Sequence, residues 1–216
     1  MFNFYSQYFN TVELNNSFYH LPLPKTFDSW RDHSPRSFCF AVKGSRFITH
    51  MKKLKDPEPS TEKFFLAAEH LKRKLGPILF QLPPRWKPDF ARLAQFLEIL
   101  PRRHRYVIEF RDTRWFTPEV FGLMRHHNVA FCIHDFADME IPQQITADFT
   151  YLRFHGPTNV RYAGSYSDHQ LQQWAQRMKE WRSNLKAVYA YFNNDPGGAA
   201  VKNALTLKKC LKVEDS

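Results

Sequence analysis

Glycine is scarce in this chain, with seven in 216 residues against twenty-one phenylalanines. A sequence so poor in glycine is neither collagen-like nor a flexible low-complexity segment, and its 43% hydrophobic content suffices for a sizeable core. Cysteine is scarcer still. Cys39, Cys132 and Cys210 are odd in number and far apart, which points away from a disulfide framework or a CxxC metal site and toward buried thiols in a reducing compartment. No apolar run approaches the roughly 20 residues that span a bilayer. The start MFNFYSQYFN also lacks a signal peptide's cationic flank and apolar centre. The expectation is a cytoplasmic protein with no membrane partner. Acidic residues are few as well: 31 Lys and Arg outweigh 21 Asp and Glu, a formal charge of +10. Such a surface attracts polyanions, although many proteins are basic without a polyanionic partner.

Short strand-like runs alternate with helical stretches, and no composition shift marks a linker, so residues 1–216 are expected to form one domain. The strand candidates are TVELNNSFY (11–19), FCFAVKG (38–44), PILFQLPP (77–84), RYVIEFRD (105–112), VAFCIHD (129–135), FTYLRFHG (149–156) and AVYAYFNND (187–195). Helical patterns fall at about 26–33, 60–75, 88–99, 117–127 and 167–184, with a single turn at IPQQIT and a last helix after Gly197 and Gly198. This alternation implies a parallel sheet with helices outside it. An open parallel sheet would be apolar on both faces. Here one face of nearly every strand turns polar toward its C-terminal end, through Glu13 and Asn15, Lys43, Gln81, Glu109 and Arg111, Asp135, Arg153 and His155, and Tyr191 and Asn193. The opposite parity is apolar. A TIM-type (β/α) barrel explains both sets, because its inner face opens on a C-terminal mouth where such folds place their chemistry.

Four residues are the candidate catalytic groups. Glu13 and Glu109 are strand carboxylates able to serve as acid or base, or to pair with an inward cation and hold the fold. His155, beside Gly156, can shuttle protons. Of the adjacent His134 and Asp135, which face opposite ways on a strand, Asp135 is the better inward candidate. Asn15, Lys43, Gln81, Arg111, Arg153 and Tyr191 would bind substrate beside them. Glu13, Glu109, Asp135 and His155 could offer a metal a mixed O/N ligand set, but no HExxH-like spacing supports one, so no metal is assigned and any cofactor is unknown. In NNDPGGAAVKNA, Asp195 suits an N-cap and Pro196 a first helical turn. Gly197 and Gly198 would let a phosphate approach the helix amides, with Asn193 and Asn194 orienting it. The same loop is equally a capped helix start with nothing bound. Arg46, His50, Lys52, Lys53, Lys55 and Arg161 form a basic rim that would steer an anion inward. Trp115, Phe116, Tyr162 and Tyr166 lie in mouth loops and could stack on bases or sugars.

The blocks FNTVELNNSFYHLP, FAVKGSRFITH, GPILFQLPP, VIEFRDTRWF, TADFTYLRFHG, YAGSYS and YFNNDPGGAAVKNA together closely resemble the YecE-like family, domain of unknown function 72, over essentially the whole chain. The resemblance implies a TIM-type barrel and a site, and no reaction. Family members usually begin with an extra strand carrying a glycine and tryptophan motif, whereas this chain starts in the helix that should follow it. Seven strands are visible where the resemblance implies eight. The open edges at 11–19 and 187–195 would invite pairing with another copy, giving a homo-oligomer.

The leading functional expectation is an enzyme, a hydrolase or lyase, acting on a phosphate-containing or other anionic small molecule, or on nucleic acid as its large version. A non-catalytic nucleic-acid-binding protein and a carbohydrate-processing enzyme using Glu13 and Glu109 stand as alternatives.

Overall fold

A computed structural model describes residues 2–135, 139–160 and 162–212 of the chain. Arg161, placed on the basic rim above, lies outside the described residues. The chain divides into two compact units, Met1–Val129 and Ala130–Ser216.

The first unit runs α1 (Phe2–Tyr5), β1 (Thr11–Leu14), α2 (Asn16–Tyr19), α3 (Pro24–Asp32), β2 (Cys39–Lys43), a π-helical turn (Phe47–Met51) and α4 (Glu58–Ala68). It continues through a 3₁₀ stretch (Glu69–Lys74), β3 (Leu75–Gln81), α5 (Phe90–Glu98), β4 (Tyr106–Glu109), a 3₁₀ turn (Thr113–Trp115) and α6 (Pro118–His126). Its four strands pair in parallel in sequence order. The second unit holds β5 (Ala130–His134), β6 (Phe149–Phe154), α7 (Asp168–Asn184), β7 (Ala187–Phe192), a 3₁₀ turn (Pro196–Gly198) and α8 (Ala199–Leu211), and its three strands are also parallel in sequence order. Seven parallel strands alternating with helices are what the sequence pattern predicts.

Side chains alternate across each strand, so one parity meets the helices. Phe80 of β3 shows how. Its ring packs against Phe64 of α4 at 6.1 Å and edge-on to Phe96 of α5 at 5.0 Å, and all three are fully buried. In the second unit Phe154 of β6 plays the same part, 5.2 Å from Trp174 of α7 and stacked at 4.6 Å on Phe192 of β7. Local caps fix where the helices begin. Asp89 and Thr117 each accept an amide of the first helical turn, and Ser167 with Gln170 forms a complete capping box at α7. Replacing Ser167 with Ala is expected to lower stability by about 1 kcal/mol in urea denaturation, because the Gln170 amide in the first turn loses its acceptor while the Ser167 amide keeps its own.

Three expectations are corrected. The strand expected at 11–19 ends at Leu14. Beyond it the chain turns into α2, where Ser17 is buried and its hydroxyl donates to the carbonyls of Leu14 and Lys43. The β-prone SFY triplet therefore closes a helical turn over the end of β2. IPQQIT forms no helical turn, since Thr146 Oγ1 accepts the Phe131 amide at 2.7 Å and ties the segment to β5. Asp195 does not cap the last helix. It sits in helical conformation with no capping bond, and α8 starts from Gly198 at φ 73° after Gly197 at φ 68°. A side chain there would meet nothing within 4 Å, so these glycines serve backbone geometry rather than close packing.

Candidate functional site

Register shows which side chains share a face, because Cα partners in parallel strands point the same way. In the first unit Glu13 pairs with Ala41, Lys43 with Leu79, and Gln81 with Glu109, which sets Glu13, Lys43, Gln81 and Glu109 on one face toward the strands' C-terminal ends. Lys43 is 8% exposed, yet its ammonium is not wasted. It donates to Gln81 Oε1 at 2.8 Å and lies 4.2 Å from the centre of the Phe18 ring, a cation–π contact supplied by the unexpected α2. Asn15 Nδ2 donates to Glu13 Oε1 at 3.1 Å. Glu109, fully buried, forms an ion pair with Arg111, whose side chain is 7% exposed.

His50 joins this group from the π-helical turn. Its Nδ1 shares a hydrogen bond with Thr49 Oγ1 at 2.9 Å and its ring meets Phe18 edge-on at 5.0 Å. Burial first, then the positive charges of Lys43, Arg46 and Arg111, push its pKa down to about 4, with Glu109 opposing them. The imidazole is thus neutral at physiological pH, held so in part by three cations around it.

In the second unit the register corrects one choice. His134 pairs with Arg153 and Arg153 with Tyr191, so His134, and not Asp135, shares the face of the buried Arg153 and Tyr191. Both parities of VAFCI are apolar and all of β5 is buried, which leaves nothing in the sequence to fix its phase. His155, 2% exposed, continues that face: its ring lies 6.1 Å from His134 and meets Tyr162 edge-on at 5.3 Å.

Asp135, just past β5, is instead gripped by the β6–α7 loop. Its Oδ1 accepts the His155 amide at 2.6 Å and its Oδ2 accepts the Tyr166 hydroxyl, which also receives the Gly156 amide at 2.8 Å. Burial raises the Asp135 pKa to about 6 in spite of these donors, and burial followed by the Asp135 charge raises that of Tyr166. Gly156 is required where it stands: φ is 108°, and a Cβ would lie 2.2 Å from the Ala163 carbonyl oxygen. Asn203 of α8 holds the loop by accepting the Tyr166 amide at 3.2 Å and an Asn194 Nδ2 proton at 2.9 Å, while Asn194 also donates to the Gly164 carbonyl. Asn194 is therefore a buried brace for the loop. Asn193 is half-buried, its amide donating to the Phe154 carbonyl at 2.7 Å, and Gly197 and Gly198 are exposed.

Two aromatic candidates for stacking are removed by packing. Trp115 is fully buried, donates Nε1 to the Trp86 carbonyl at 2.9 Å and stacks on Phe110. Tyr166 is committed to Asp135. Tyr162 is 44% exposed, while Phe116 is half-buried.

The described residues thus define a TIM-type α/β protein with charged groups at its C-terminal strand ends. The whole chain, residues 1–216, matches the family described as Protein of unknown function DUF72, and it belongs to that family. It is 26% identical over 245 aligned residues to UPF0759 protein YunF of Bacillus subtilis (strain 168), covering 98% of this chain and 86% of that protein. It is 30% identical over 113 residues to UPF0759 protein YecE of Escherichia coli (strain K12), covering 52% of this chain and 42% of that protein. Among solved structures, a DUF72 family protein from Enterococcus faecalis V583 superposes with a TM-score of 0.86 at 20% identity, over 98% of this chain and 88% of that one. One from Thermotoga maritima MSB8 gives 0.82 at 30% identity, over 94% and 85%. No described helix is long and apolar enough to cross a membrane.

Proposed function

We propose that the chain is an enzyme, a hydrolase or lyase, that takes a phosphate-containing or other anionic substrate at the C-terminal ends of its strands. The observation that carries this reading is the setting of His50. Burial and the cations Lys43, Arg46 and Arg111 together hold a half-buried imidazole neutral down to about pH 4. Gathering that much positive charge beside a neutral donor is costly in an empty site and favourable around an oxyanion, which the cations neutralise while the imidazole N–H donates to it. Glu109 and Arg111 largely neutralise each other, so the net positive charge beside His50 comes mainly from Lys43 and Arg46. In the second unit, Asp135 supplies by itself a carboxyl that gains and loses a proton near pH 6, the property acid–base chemistry at neutral pH requires.

The test is a titration of His50 followed by NMR with and without inorganic phosphate. A bound phosphate stabilises the imidazolium, so the His50 pKa should rise from about 4 by a unit or more, and Lys43→Met should weaken phosphate binding about tenfold. A His50 titration indifferent to phosphate and sulfate alike would sink the anion-site reading.

A further inference from the structure

The opposite ends of the same strands carry a second positive feature. Each loop that enters β2, β3 and β4 brings cations to the strand's N-terminal end: Arg36 before β2, Lys72, Arg73 and Lys74 before β3, and Arg102, Arg103 and Arg105 before β4. These strands are adjacent and parallel, so the three loops lie side by side at roughly 4.8 Å strand spacing.

The cations divide into two kinds. Some build the surface. Lys74 is 6% exposed, and its ammonium donates to the Arg31 carbonyl at 2.6 Å, the Ser34 carbonyl at 2.7 Å and the Ser34 hydroxyl at 2.8 Å, clamping the end of α3 to the start of β3. Arg31 ties the same end to the His70 carbonyl at 2.8 Å and pairs with Asp28 and Asp32. Arg103 pairs with Glu69, which His104 also contacts at 2.8 Å. The others have no such task. Arg36, Lys72, Arg73 and Arg102 are exposed, and none makes an ion pair among the described residues. Three of them line a cavity of about 570 Å³ with Arg31, Lys74 and one carboxylate, Asp32. Arg102 lines a separate cavity of about 270 Å³ together with Glu98. Lys72 stands at φ 53° and ψ −130°, a conformation that costs a non-glycine residue on the order of 1–3 kcal/mol.

We propose that this N-terminal rim of the first unit is a binding surface for the phosphate backbone of a nucleic acid, separate from the anion site proposed at the C-terminal strand ends. Charge complementarity selects a polyanion: of the five cations that line the cavity Arg31 is answered by Asp28 and Asp32, while Arg36, Lys72, Arg73 and Lys74 make no ion pair among the described residues, a self-repelling set that phosphates relieve. Shape and composition select nucleic acid over an anionic membrane. The surface is concave, and none of the exposed large apolar side chains, such as Phe4, Met51 or Val201, lies in these three loops, so nothing there would insert into a bilayer. Three loops about 5 Å apart also suit successive phosphates better than one isolated anion.

The full chain should be tested by fluorescence anisotropy with a labelled single-stranded oligonucleotide over a range of salt, beside a variant carrying Arg36→Ala, Lys72→Ala, Arg73→Ala and Arg102→Ala. The variant is expected to bind at least tenfold more weakly at low salt. Its slope of log affinity against log salt should be shallower by roughly 3, since each neutralised phosphate contributes about 0.7 on a single strand. Its His50 should keep the wild-type response to inorganic phosphate, which separates this surface from the anion site. If the fourfold variant does not fold, Lys72→Ala with Arg73→Ala should show about half the change in slope. Equal affinity and slope in wild type and variant would overturn the proposal. So would wild-type binding to phosphatidylglycerol vesicles without any binding to the oligonucleotide.

Discussion

Replacing Arg111 with Met is expected to cost about 3–5 kcal/mol of unfolding free energy, the largest single effect foreseen for this chain. Glu109 is fully buried and Arg111 nearly so, and the two form an ion pair at the end of β4. Methionine fills much of the guanidinium's volume but leaves the Glu109 carboxylate in a low-dielectric setting without that counter-charge. The loss should therefore exceed what lost packing alone would give. Combining Glu109→Leu with Arg111→Met removes both charges and should recover most of the stability, because the buried pair itself contributes little net free energy against apolar side chains of similar size. Urea denaturation of the two single variants and the double variant measures this directly. A double variant as unstable as the sum of its singles would show that the pair is not the source of the loss. Recovery would identify Glu109 first as a structural carboxylate held by Arg111.

How much of this was legible beforehand follows from where the physics is local. Alternation of strands and helices is a periodicity signal, and so is the polar parity of β2, β3, β4 and β6. Lys43, Gln81, Glu109 and Arg153 accordingly sit on the faces assigned to them. β5 carried no such signal, because a strand apolar at both parities has no readable phase, and His134 was passed over for Asp135. Side-chain partners distant in sequence were invisible too. Nothing near Asp135 announces that Tyr166 will reach it, or that Asn203 will brace the intervening loop from α8. Trp115 reads as a loop aromatic because it follows the polar run RDTR (111–114) beyond β4, while its partner Trp86 lies 29 residues away. The π-helical turn that delivers His50 has no distinctive composition, and the residue was read only as one charge on a basic rim.

The second large effect is a pH dependence centred on Asp135. Its native pKa of about 6 stands above the ordinary carboxylate value of 3.8, so the folded protein binds this proton more tightly than the unfolded chain does. A group raised in this way contributes stability fully below pH 3.8 and loses it as the pH climbs through about 6. At about 1.4 kcal/mol per pH unit of displacement, the change is on the order of 2–3 kcal/mol. Other groups titrate over the same range, so the informative quantity is the difference between wild type and Asp135→Asn. Asparagine can still accept the His155 amide but has no proton to lose, and the difference curve should fall by about 2–3 kcal/mol between pH 4 and pH 7 and be flat above. Tyr166→Phe supplies the opposite check. The hydroxyl stabilises the carboxylate form, so deleting it should move the fall to higher pH while costing about 1–2 kcal/mol for the lost bond. Denaturation curves at pH 4, 5, 6 and 7 decide between the outcomes. A difference curve that is flat throughout would show that folding does not raise the Asp135 pKa above its ordinary value, which would leave it too low for proton exchange near neutrality.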